Sequence, residues 1–553
     1  MPGDPGAGGG QASRPGLVLA GKAAAEGLAI GPLAQLATAS AETGGAIGTP
    51  AEERAALLRA VGDAADALQA LSDRTDDGLA GEVLMFQIAL LQDPELLAPA
   101  GPPLERGDSA AAAWCTAVDA LIEAYAGDEQ EYFRARADDL RDLRQRVLDV
   151  LGGVGAVAAD LPDGAILVAE TLTPSRFLEV DWRRTGGAAL AAGSATSHMA
   201  MLARARGIPL VIGLGSDALR LPNGAHAVLD AEAGCLLVDP GRTQLADYRA
   251  RLRNRAEAAS ADARYRDAPA TTADGTRIDV LINVDDPLVL DDVDPAICDG
   301  VGLTRTEFLF RDGVPDEDTQ FEAYRKVIAW AQGRPVTIRT LDAGGDKPVP
   351  GLTPAGESNP FLGVRGLRLS LAQPEAFRTQ LRALVRAGAS GPLKIMLPMV
   401  TTPREFDAAR EICAAVQAGL AGTGAADTDV GFGIMVETPS AALQPTAFAA
   451  DFYSIGTNDL VQYVMAAARD IDAVAHLQTP RDPVILELIG RVAAAGRARG
   501  VEVSVCGEMA ARVDCVPTLL DAGIRTLSVP PAAVARIKRA VAEHRLSPSV
   551  ACS

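Results

Sequence analysis

Charged and reactive side chains follow most of the short apolar segments in the second half of this 553-residue sequence. They are Arg305, Arg339, Glu437, Asn458, Asp459, Arg469 and Cys506. Guanidinium groups are planar, and their paired N–H groups match the oxygens of phosphate and carboxylate. Several arginines in an acidic protein therefore indicate a site for a small anion, and a substrate that carries both a phosphate and a carboxylate is favoured.

Two carboxylates of this set could hold a divalent cation. Glu437 and Asp459 follow successive apolar segments, and Asn458 stands next to the second of them. Two carboxylates are too few for a calcium site, but they are enough for Mg²⁺, which keeps several waters and takes other oxygens from phosphate. The sequence therefore predicts that Glu437 and Asp459 bind Mg²⁺.

Cys506 has two interpretations. A lone cysteine is more often a buried structural thiol than a reactive one. Its position at the end of an apolar segment, like that of the charged residues, favours a reactive role. An unperturbed thiol has a pKa of about 8.5 and is protonated at neutral pH, so Cys506 could serve as a general acid.

A second candidate site lies at residues 193–204, where the sequence reads GSATSHMAMLAR. Thr196 or Ser197 would cap a helix and place His198 in its first turn. The N-terminus of a helix favours a neutral, nucleophilic imidazole and offers backbone N–H groups to a phosphate. This setting would suit a phosphohistidine. A structural histidine at a helix end is the alternative, and spacing alone does not decide between them.

Eight apolar segments alternate with helical segments through the second half of the chain. They lie at 277–284, 300–303, 336–342, 393–398, 432–438, 452–456, 502–507 and 526–529. Eight strand–helix repeats over about 270 residues are typical of a (β/α)8 TIM barrel, whose active sites lie at the carboxyl ends of the strands. We therefore predict a TIM barrel at 271–553, with the candidate residues gathered at one end.

The first half predicts an α/β domain that is interrupted by helices. Short β-type segments occur at 16–48 and at 153–240, and the first piece is too small to fold alone. Residues 49–152 show apolar spacings of three and four, which predict a bundle of about four helices. Residues 241–270 are polar and helix-prone and predict a linker helix. Residues 1–15 predict a disordered tail, so the fold class is α/β multidomain.

Composition excludes several classes of protein. Lysine and arginine number 51 against 72 aspartates and glutamates, and the net charge of −21 argues against a nucleic-acid binder. The sequence contains no stretch of about 18 consecutive apolar residues, so it predicts no membrane-spanning helix. The seven cysteines are scattered without a CxxC pair, which is typical of a reducing, cytoplasmic location and makes zinc unexpected.

Several motifs together resemble one known family. They are TSH at 196–198, RTEFLF at 305–310, TIRTLDAGGDK at 337–347, NPFLGVRGLR at 359–368, GIMVETPSA at 433–441, SIGTNDLVQYVMAAAR at 454–469 and CGEMA at 506–510. In their types and order they resemble Enzyme I of the phosphoenolpyruvate:sugar phosphotransferase system, and the resemblance covers nearly the whole chain.

This resemblance implies a Mg²⁺-dependent phosphotransferase. His198 would take a phosphoryl group from phosphoenolpyruvate, release pyruvate, and pass the group to a histidine of the carrier protein HPr in sugar uptake. The residues implied in phosphoenolpyruvate binding are Arg305, Arg339, Arg365, Asn458, Asp459 and Arg469. Glu437 and Asp459 would bind Mg²⁺, and Cys506 would protonate the enolpyruvate carbon. The resemblance also implies a swivelling His198 domain, carrier docking on the helical segment, and a homodimer formed through the barrel.

Other readings stay open at this point. A paralogue could serve a nitrogen-type or other dedicated carrier instead of HPr. Pyruvate phosphate dikinase and phosphoenolpyruvate synthase share both domains, but they need an ATP-binding domain that this sequence is not expected to include. A non-enzymatic regulator could sense phosphoenolpyruvate, although the presence of His198, Cys506, Glu437 and Asp459 argues against it.

Overall fold

The structure is a computed structural model that describes most of the chain. The described residues are 16–36, 48–73, 78–126, 131–153, 161–194, 197–310, 313–345, 347–354, 356–420, 430–469 and 471–546. The predicted tail at 1–15 lies outside them. The chain forms two compact units, Met1–Ala256 and Glu257–Ser553. Within the described ranges, no helix is both long enough and apolar enough to cross a bilayer.

The first unit contains an eight-stranded sheet. Its strands are β1 (Leu17–Ala20), β2 (Lys22–Ala25), β3 (Leu28–Gln35), β4 (Ala165–Ala169), β5 (Thr185–Leu190), β6 (Leu210–Ile212), β7 (His226–Asp230) and β8 (Cys235–Val238). Their order in the sheet is β1-β8-β7-β3-β4-β5-β6-β2. Because β3 pairs in parallel with β4, the segments before and after the helical insertion share one sheet.

The inserted segment is a helical bundle. Its helices are α1 (Pro50–Ser72), α2 (Gly78–Leu91), α3 (Pro94–Leu97), α4 (Gly101–Glu105), α5 (Ala110–Ala126) and α6 (Glu131–Leu151). Thr49 begins α1 with a capping box, in which its backbone N–H donates to the Glu52 carboxylate at 2.8 Å. The predicted apolar stripe of α1, which includes Leu57, Ala64 and Leu68, is buried in the bundle core.

Three further α-helices lie in the described residues of the first half of the chain. The helix α7 (Pro174–Glu179) follows β4, α8 (His198–Ala205) follows β5, and α9 (Arg242–Ala263) follows β8. The helix α9 lies in the predicted linker segment, and none of its residues is fully buried, as its polar pattern predicts. Arg251 of α9 pairs with the buried carboxylate of Asp230 at 2.6 Å. This ion pair holds the first part of α9 to the sheet. The domain limits taken from the sequence stay predictions.

The second unit is a closed barrel of eight parallel strands, which confirms the predicted TIM barrel. The strands are β9 (Asp279–Val284), β10 (Val301–Thr304), β11 (Val336–Arg339), β12 (Leu393–Leu397), β13 (Gly431–Val436), β14 (Phe452–Ile455), β15 (Glu502–Val505) and β16 (Thr526–Val529). Each strand overlaps one of the eight predicted segments. The pairing of β16 with β9 closes the ring.

Helices cover the outside of the barrel. They are α10 (Glu317–Trp330), α11 (Leu367–Ala372), α12 (Pro374–Gly388), α13 (Pro403–Gly419), α14 (Pro439–Leu443), α15 (Thr457–Met465), α16 (Pro483–Arg499), α17 (Val516–Asp521) and α18 (Val534–Glu543). Their apolar faces pack against outward strand residues such as Ile338 and Ile395 in one continuous core. This core fixes the strand ends on which the candidate residues stand.

Gly507 lets the loop after β15 pack against the start of α15. A Cβ at this position would lie 2.0 Å from Thr457 Oγ1 and 2.7 Å from the Thr457 backbone nitrogen. Both distances are shorter than any non-bonded contact allows, and the second involves backbone that cannot rotate away. The segments that follow β14 and β15 can therefore pack this closely only because Gly507 has no side chain.

Replacement of this glycine tests the close approach. We expect Gly507→Ala to lower the free energy of unfolding by about 1–3 kcal/mol, because the added methyl forces the two strand ends apart. Gly490→Ala in α16 is the matched control, since a Cβ there meets nothing within 4 Å. That change should stabilise the chain by about 0.5–1 kcal/mol. Urea unfolding followed by circular dichroism measures both, and equal stabilities would refute the packing argument.

Candidate active site

A cavity of about 370 Å³, measured out to its opening, lies at the carboxyl ends of the barrel strands. We call it the barrel cavity. Its lining residues are Leu303, Arg305, Arg339, Asp342, Lys347, Met435, Glu437, Gly456, Asn458, Asp459, Arg469, Cys506 and Gly507. The seven residues that the strand-end pattern singled out are all among them. The cavity therefore brings together side chains that are up to about 200 positions apart in the sequence, as barrel topology predicts.

Acidic partners position two of the cavity arginines. Arg305 follows β10, and its Nη1 lies 2.7 Å from Asp285 Oδ1. Arg339 ends β11 and is buried, with Nη2 at 2.5 Å from Glu307 Oε1 and Nη1 at 3.2 Å from Asp342 Oδ2. Burial opposes the charge of Arg339, but the negative charges of Glu307 and Asp342 outweigh it and raise its pKa. Arg339 is therefore a fixed positive charge at the cavity.

Arg365 stands behind the cavity and holds two of its acids. Its side chain is 1% exposed, and it is not one of the residues that line the cavity. Its Nε and Nη2 donate to the two Asp342 oxygens at 3.0 Å each, and Nη1 and Nη2 donate to Asp459 at 3.1 and 3.3 Å. Nη1 also donates to the Tyr463 hydroxyl at 3.3 Å. These bonds use all five guanidinium N–H groups, and contact of Arg365 with a substrate stays a prediction.

Glu437 and Asp459 form a pair of acids that would accommodate a cation. Glu437 follows β13, and its Oε1 accepts from the Met399 backbone N–H at 2.6 Å. Burial, together with the nearby charges of Asp459 and Asp342, raises the pKa of Glu437 to about 8. A cation here would favour the ionised form, because it offsets both burial and repulsion. Across the described ranges, no group of three or more His, Cys, Asp or Glu side chains is arranged to hold a metal ion.

Asn458 lies in the first turn of helix α15, and Arg469 follows the end of that helix. The Asn458 Oδ1 accepts from the Glu508 backbone N–H at 2.9 Å, and its Nδ2 donates to Glu508 Oε1 at 3.4 Å. These bonds link the ends of β14 and β15 and orient the amide. Arg469 follows α15, and its backbone N–H donates to Gln462 Oε1 at 3.3 Å. The structure therefore brings both residues to the cavity from one helix–loop segment.

Cys506 is buried at the end of β15. It packs with Leu303, Met396, Met435 and Phe452 inside the barrel, and its Sγ lies 3.6 Å from the Ile455 carbonyl oxygen. Burial raises the pKa of the thiol above its ordinary value. The thiol is therefore protonated at neutral pH. The thiol is buried, as the structural interpretation of Cys506 expects, and it also lines the cavity, as the reactive interpretation expects.

Two charged residues that line the cavity, Asp342 and Lys347, were not among those identified from the strand-end pattern. Asp342 follows Arg339 by three positions, so the strand-end signal was present but was not used. Lys347 returns to the cavity through a tight turn, in which Gly344 N–H donates to the Lys347 carbonyl at 3.0 Å. Gly344 has φ +104°, and a Cβ there would lie 2.7 Å from the Val364 carbonyl oxygen. The adjacent glycines of TIRTLDAGGDK were the signal for this turn.

His198 lies in the first unit, at the first position of α8. Ser197 is the N-cap, and its hydroxyl accepts from the Ala200 backbone N–H at 3.3 Å. The predicted helix start is therefore confirmed. Thr196 and the side chain of His198 lie outside the described part of the structure, and the role of His198 as a phosphoryl acceptor stays a prediction.

Family models match three parts of the chain. The model described as "PEP-utilising enzyme, PEP-binding domain" matches residues 259–546, which include the barrel. The model described as "PEP-utilising enzyme, mobile domain" matches residues 161–234, which include His198. The model described as "PEP-utilising enzyme, N-terminal" matches residues 20–136. Along the chain, the N-terminal match comes first, the mobile-domain match second and the PEP-binding match third, and together they include residues of both units.

Curated relatives match most of the chain at substantial identity. A phosphoenolpyruvate-protein phosphotransferase of Haloferax volcanii is 44% identical over 421 residues, which are 74% of this chain and 72% of the relative. The protein of the same name from Staphylococcus carnosus is 38% identical over 462 residues, 82% of this chain and 80% of the relative. That of a Bacillus strain is 38% identical over 525 residues, 92% and 90%. The chain therefore belongs to the Enzyme I family of phosphoenolpyruvate-protein phosphotransferases.

Proposed function

We propose that phosphoenolpyruvate phosphorylates this chain on His198 with release of pyruvate, and that the phosphoryl group then passes to a histidine of HPr in sugar uptake. The barrel cavity is the observation that carries the proposal. It gathers cations for a phosphate and a carboxylate, acids for Mg²⁺, and a protonated thiol. Family membership supports the reaction class, the geometry of the cavity supports the roles proposed for the residues that line it, and the role of His198 rests on the family resemblance.

Arg305, Arg339 and Arg469 bind the two anionic groups of phosphoenolpyruvate in this proposal, with Lys347 as a fourth cation and Asn458 as an amide donor. Phosphoryl transfer is accelerated chiefly by positioning and by charge stabilisation on the phosphate oxygens. Fixed charges in a partly buried cavity stabilise such oxygens more than water does. Arg365 contributes by holding the carboxylates of Asp342 and Asp459 in place.

The proposed reaction conserves atoms and charge. The bond between phosphorus and the enol oxygen breaks as a bond from His198 Nε2 to phosphorus forms. The released enolate becomes pyruvate when its methylene carbon takes a proton from the Cys506 thiol, and water later returns a proton to the thiolate. The raised pKa of Cys506 supports this role, because the thiol then carries a proton at neutral pH.

Glu437 and Asp459 are the residues that would hold Mg²⁺. When bound, the ion would add positive charge beside the phosphate oxygens. The protein side chains fix where that charge is placed: Arg365 orients Asp459, and the Met399 N–H orients Glu437. The high pKa of Glu437 supports this assignment, since a buried acid next to another acid is stabilised by a bound cation.

Transfer onward requires His198 to meet a second protein. One imidazole cannot contact a donor in a buried cavity and an acceptor protein at the same time, so we propose that the His198 domain swivels about α9. We place carrier docking on the helical bundle, where Leu58 and Met85 are 55% and 54% exposed. Large apolar side chains exposed to this degree are typical of interaction surfaces when they lie in one patch.

A homodimer through the barrel and a cytoplasmic location complete the proposal. The barrel exposes Leu443 at the end of α14 and Val484 at the start of α16, and these two helices pack against each other. A second copy of the barrel would cover such side chains. The cysteines are scattered along the sequence, and those in the described residues are free thiols, which supports a reducing compartment.

The first test concerns the phosphorylated residue. His198→Ala is expected to abolish labelling by phosphoenolpyruvate that carries a labelled phosphate, because it removes the nucleophile. His226→Ala, which changes an exposed histidine at the start of β7, should label like the unaltered chain. Persistent labelling of His198→Ala would place the phosphorylated residue elsewhere. A chain that binds phosphoenolpyruvate without any labelling would indicate a regulator instead of an enzyme.

The second test concerns the cation. In the His198→Ala chain, which does not consume phosphoenolpyruvate, Mg²⁺ added with saturating phosphoenolpyruvate should raise the thermal midpoint of the barrel by about 5 °C. Adding Glu437→Gln should remove the Mg²⁺-dependent part of this shift. Glu502→Gln is the control, because Glu502 begins β15 at the opposite end of the barrel. A Mg²⁺ effect that survives Glu437→Gln would exclude Glu437 as a ligand.

The third test concerns the carrier. Leu58→Asp and Met85→Asp should reduce transfer from the phosphorylated chain to HPr at least tenfold, while labelling by phosphoenolpyruvate stays within twofold. Val18→Asp is the matched control, because Val18 is 56% exposed on the edge strand β1. Equal effects of the three changes on transfer would exclude the bundle as the docking surface. Offering a nitrogen-type carrier in parallel identifies the acceptor.

A further inference from the structure

We infer that Gln380 and Thr306 are positioning residues for the phosphoryl-transfer reaction, and that they act on the backbone that follows β11. The expected effect of these residues on the reaction rests on the proposed function, whereas their hydrogen bonds do not depend on it. Neither residue lines the barrel cavity, and both are buried, with Gln380 2% and Thr306 0% exposed.

The segment Arg339–Asp342 carries two charged groups of the cavity beyond the end of a strand. The strand β11 ends at Arg339. The last hydrogen bond of its ladder is donated by the Thr340 N–H to the Met396 carbonyl at 2.9 Å. Beyond Thr340, hydrogen bonds of the sheet no longer hold the backbone. Asp342 must nevertheless reach both Arg339 and Arg365. Something other than the sheet has to hold this backbone.

Side chains take over where the ladder stops. The Thr306 hydroxyl donates to the Arg339 carbonyl at 3.1 Å. The Gln380 Oε1 accepts from the Leu341 N–H at 3.0 Å, and Glu307 Oε1 accepts from the Asp342 N–H at 3.3 Å. Each residue from Arg339 to Asp342 therefore has a backbone group bonded to a neighbouring element. A backbone pinned at successive residues leaves its side chains little freedom of direction.

Gln380 is itself fixed on the helices around the barrel. It lies on α12, and its Nε2 donates to Thr306 Oγ1 at 3.3 Å and to the Tyr324 hydroxyl at 3.1 Å. The Tyr324 hydroxyl in turn donates to Gln320 Oε1 at 3.2 Å on α10. The chain of bonds thus runs from two helices to the strand end, and Gln380 connects directly to both Thr306 and Leu341.

The surroundings of Gln380 make these bonds hard to replace. Gln380 borders a cavity of about 250 Å³, lined mainly by apolar side chains that include Phe310, Leu352 and Phe377. An N–H left without its acceptor in such surroundings is strongly disfavoured, and the backbone would shift to find another partner. A shift of about 1 Å at Arg339 or Asp342 is enough to slow a positioned reaction about a hundredfold.

The experiment compares Gln380→Leu with Gln373→Leu by two independent readouts. Gln373 borders the same apolar cavity, is exposed, and stands before α12. Amide hydrogen exchange reports the geometry whether or not the chain is an enzyme. We expect exchange across residues 339–342 to speed up at least tenfold in Gln380→Leu and to stay within twofold in Gln373→Leu.

Turnover of phosphoenolpyruvate to pyruvate, with HPr present to accept the phosphoryl group from the chain, is the second readout. We expect kcat to fall tenfold to a hundredfold in Gln380→Leu, with a smaller change in KM, because the arginine charges remain while their placement is lost. Thr306→Val, which removes only the hydroxyl, should lower kcat in the same way, and Thr306→Ser should restore most of that loss. The valine and serine variants keep the test available if Gln380→Leu fails to fold.

Unchanged exchange at 339–342 in both Gln380→Leu and Thr306→Val would overturn the inference. Faster exchange with an unchanged kcat would also overturn it, because the segment would then be held without consequence for the reaction. If the unaltered chain itself releases no pyruvate, the proposed function fails, and the exchange measurement still decides whether these residues hold the strand end.

Discussion

The buried guanidinium of Arg365 is the interaction on which the candidate site depends most. It joins Asp342, which follows β11, to Asp459, which follows β14, and both acids line the barrel cavity. Removal of one partner from a buried ion pair typically destabilises a protein by about 3–5 kcal/mol, because an unpaired charge is left out of water. The arrangement is therefore stable only when all three groups are in place, and this fixes where the acids can point.

The electrostatics of the cavity follow from this constraint. Asp342 also lies 3.2 Å from Arg339, so its charge is shared between two arginines, and the arginines keep its pKa well below the usual range despite burial. Glu437 forms no ion pair with an arginine in the described structure, and burial, together with the charges of Asp459 and Asp342, raises its pKa by more than Arg339 and Arg365 lower it. One buried acid is thus held ionised while its neighbour tends to keep a proton. The neighbour is the acid that we propose as a cation ligand.

The barrel was predictable because its signal is local. Each strand is a short apolar segment. The eightfold alternation of strands and helices can be recognised even where a predicted strand end differs from the observed one by a residue or two. Arg305, Arg339 and Cys506 could be found by the same reasoning, since strand ends converge at one face of a barrel. The capping position of Ser197 and the buried stripe of α1 were equally readable from spacing.

Other features depend on partners distant in the sequence, and spacing does not reveal them. Arg365 stands in a loop after β11, and only the folded chain shows that its donors are directed to two acids. Gln380 lies within an ordinary amphipathic helix, where nothing distinguishes a positioning residue from a core residue. Long-range hydrogen bonds and ion pairs of this kind are set by tertiary packing, and sequence periodicity carries no record of them.

A crystal structure of the His198→Ala chain grown with phosphoenolpyruvate and Mg²⁺ would show directly whether the barrel cavity binds the substrate. We expect the substrate in the barrel cavity, with its anionic groups on Arg305, Arg339 and Arg469, while Arg365 remains bonded to Asp342 and Asp459. Substrate bound at any other place in the barrel, or an Arg365 side chain that has left both acids, would contradict this expectation.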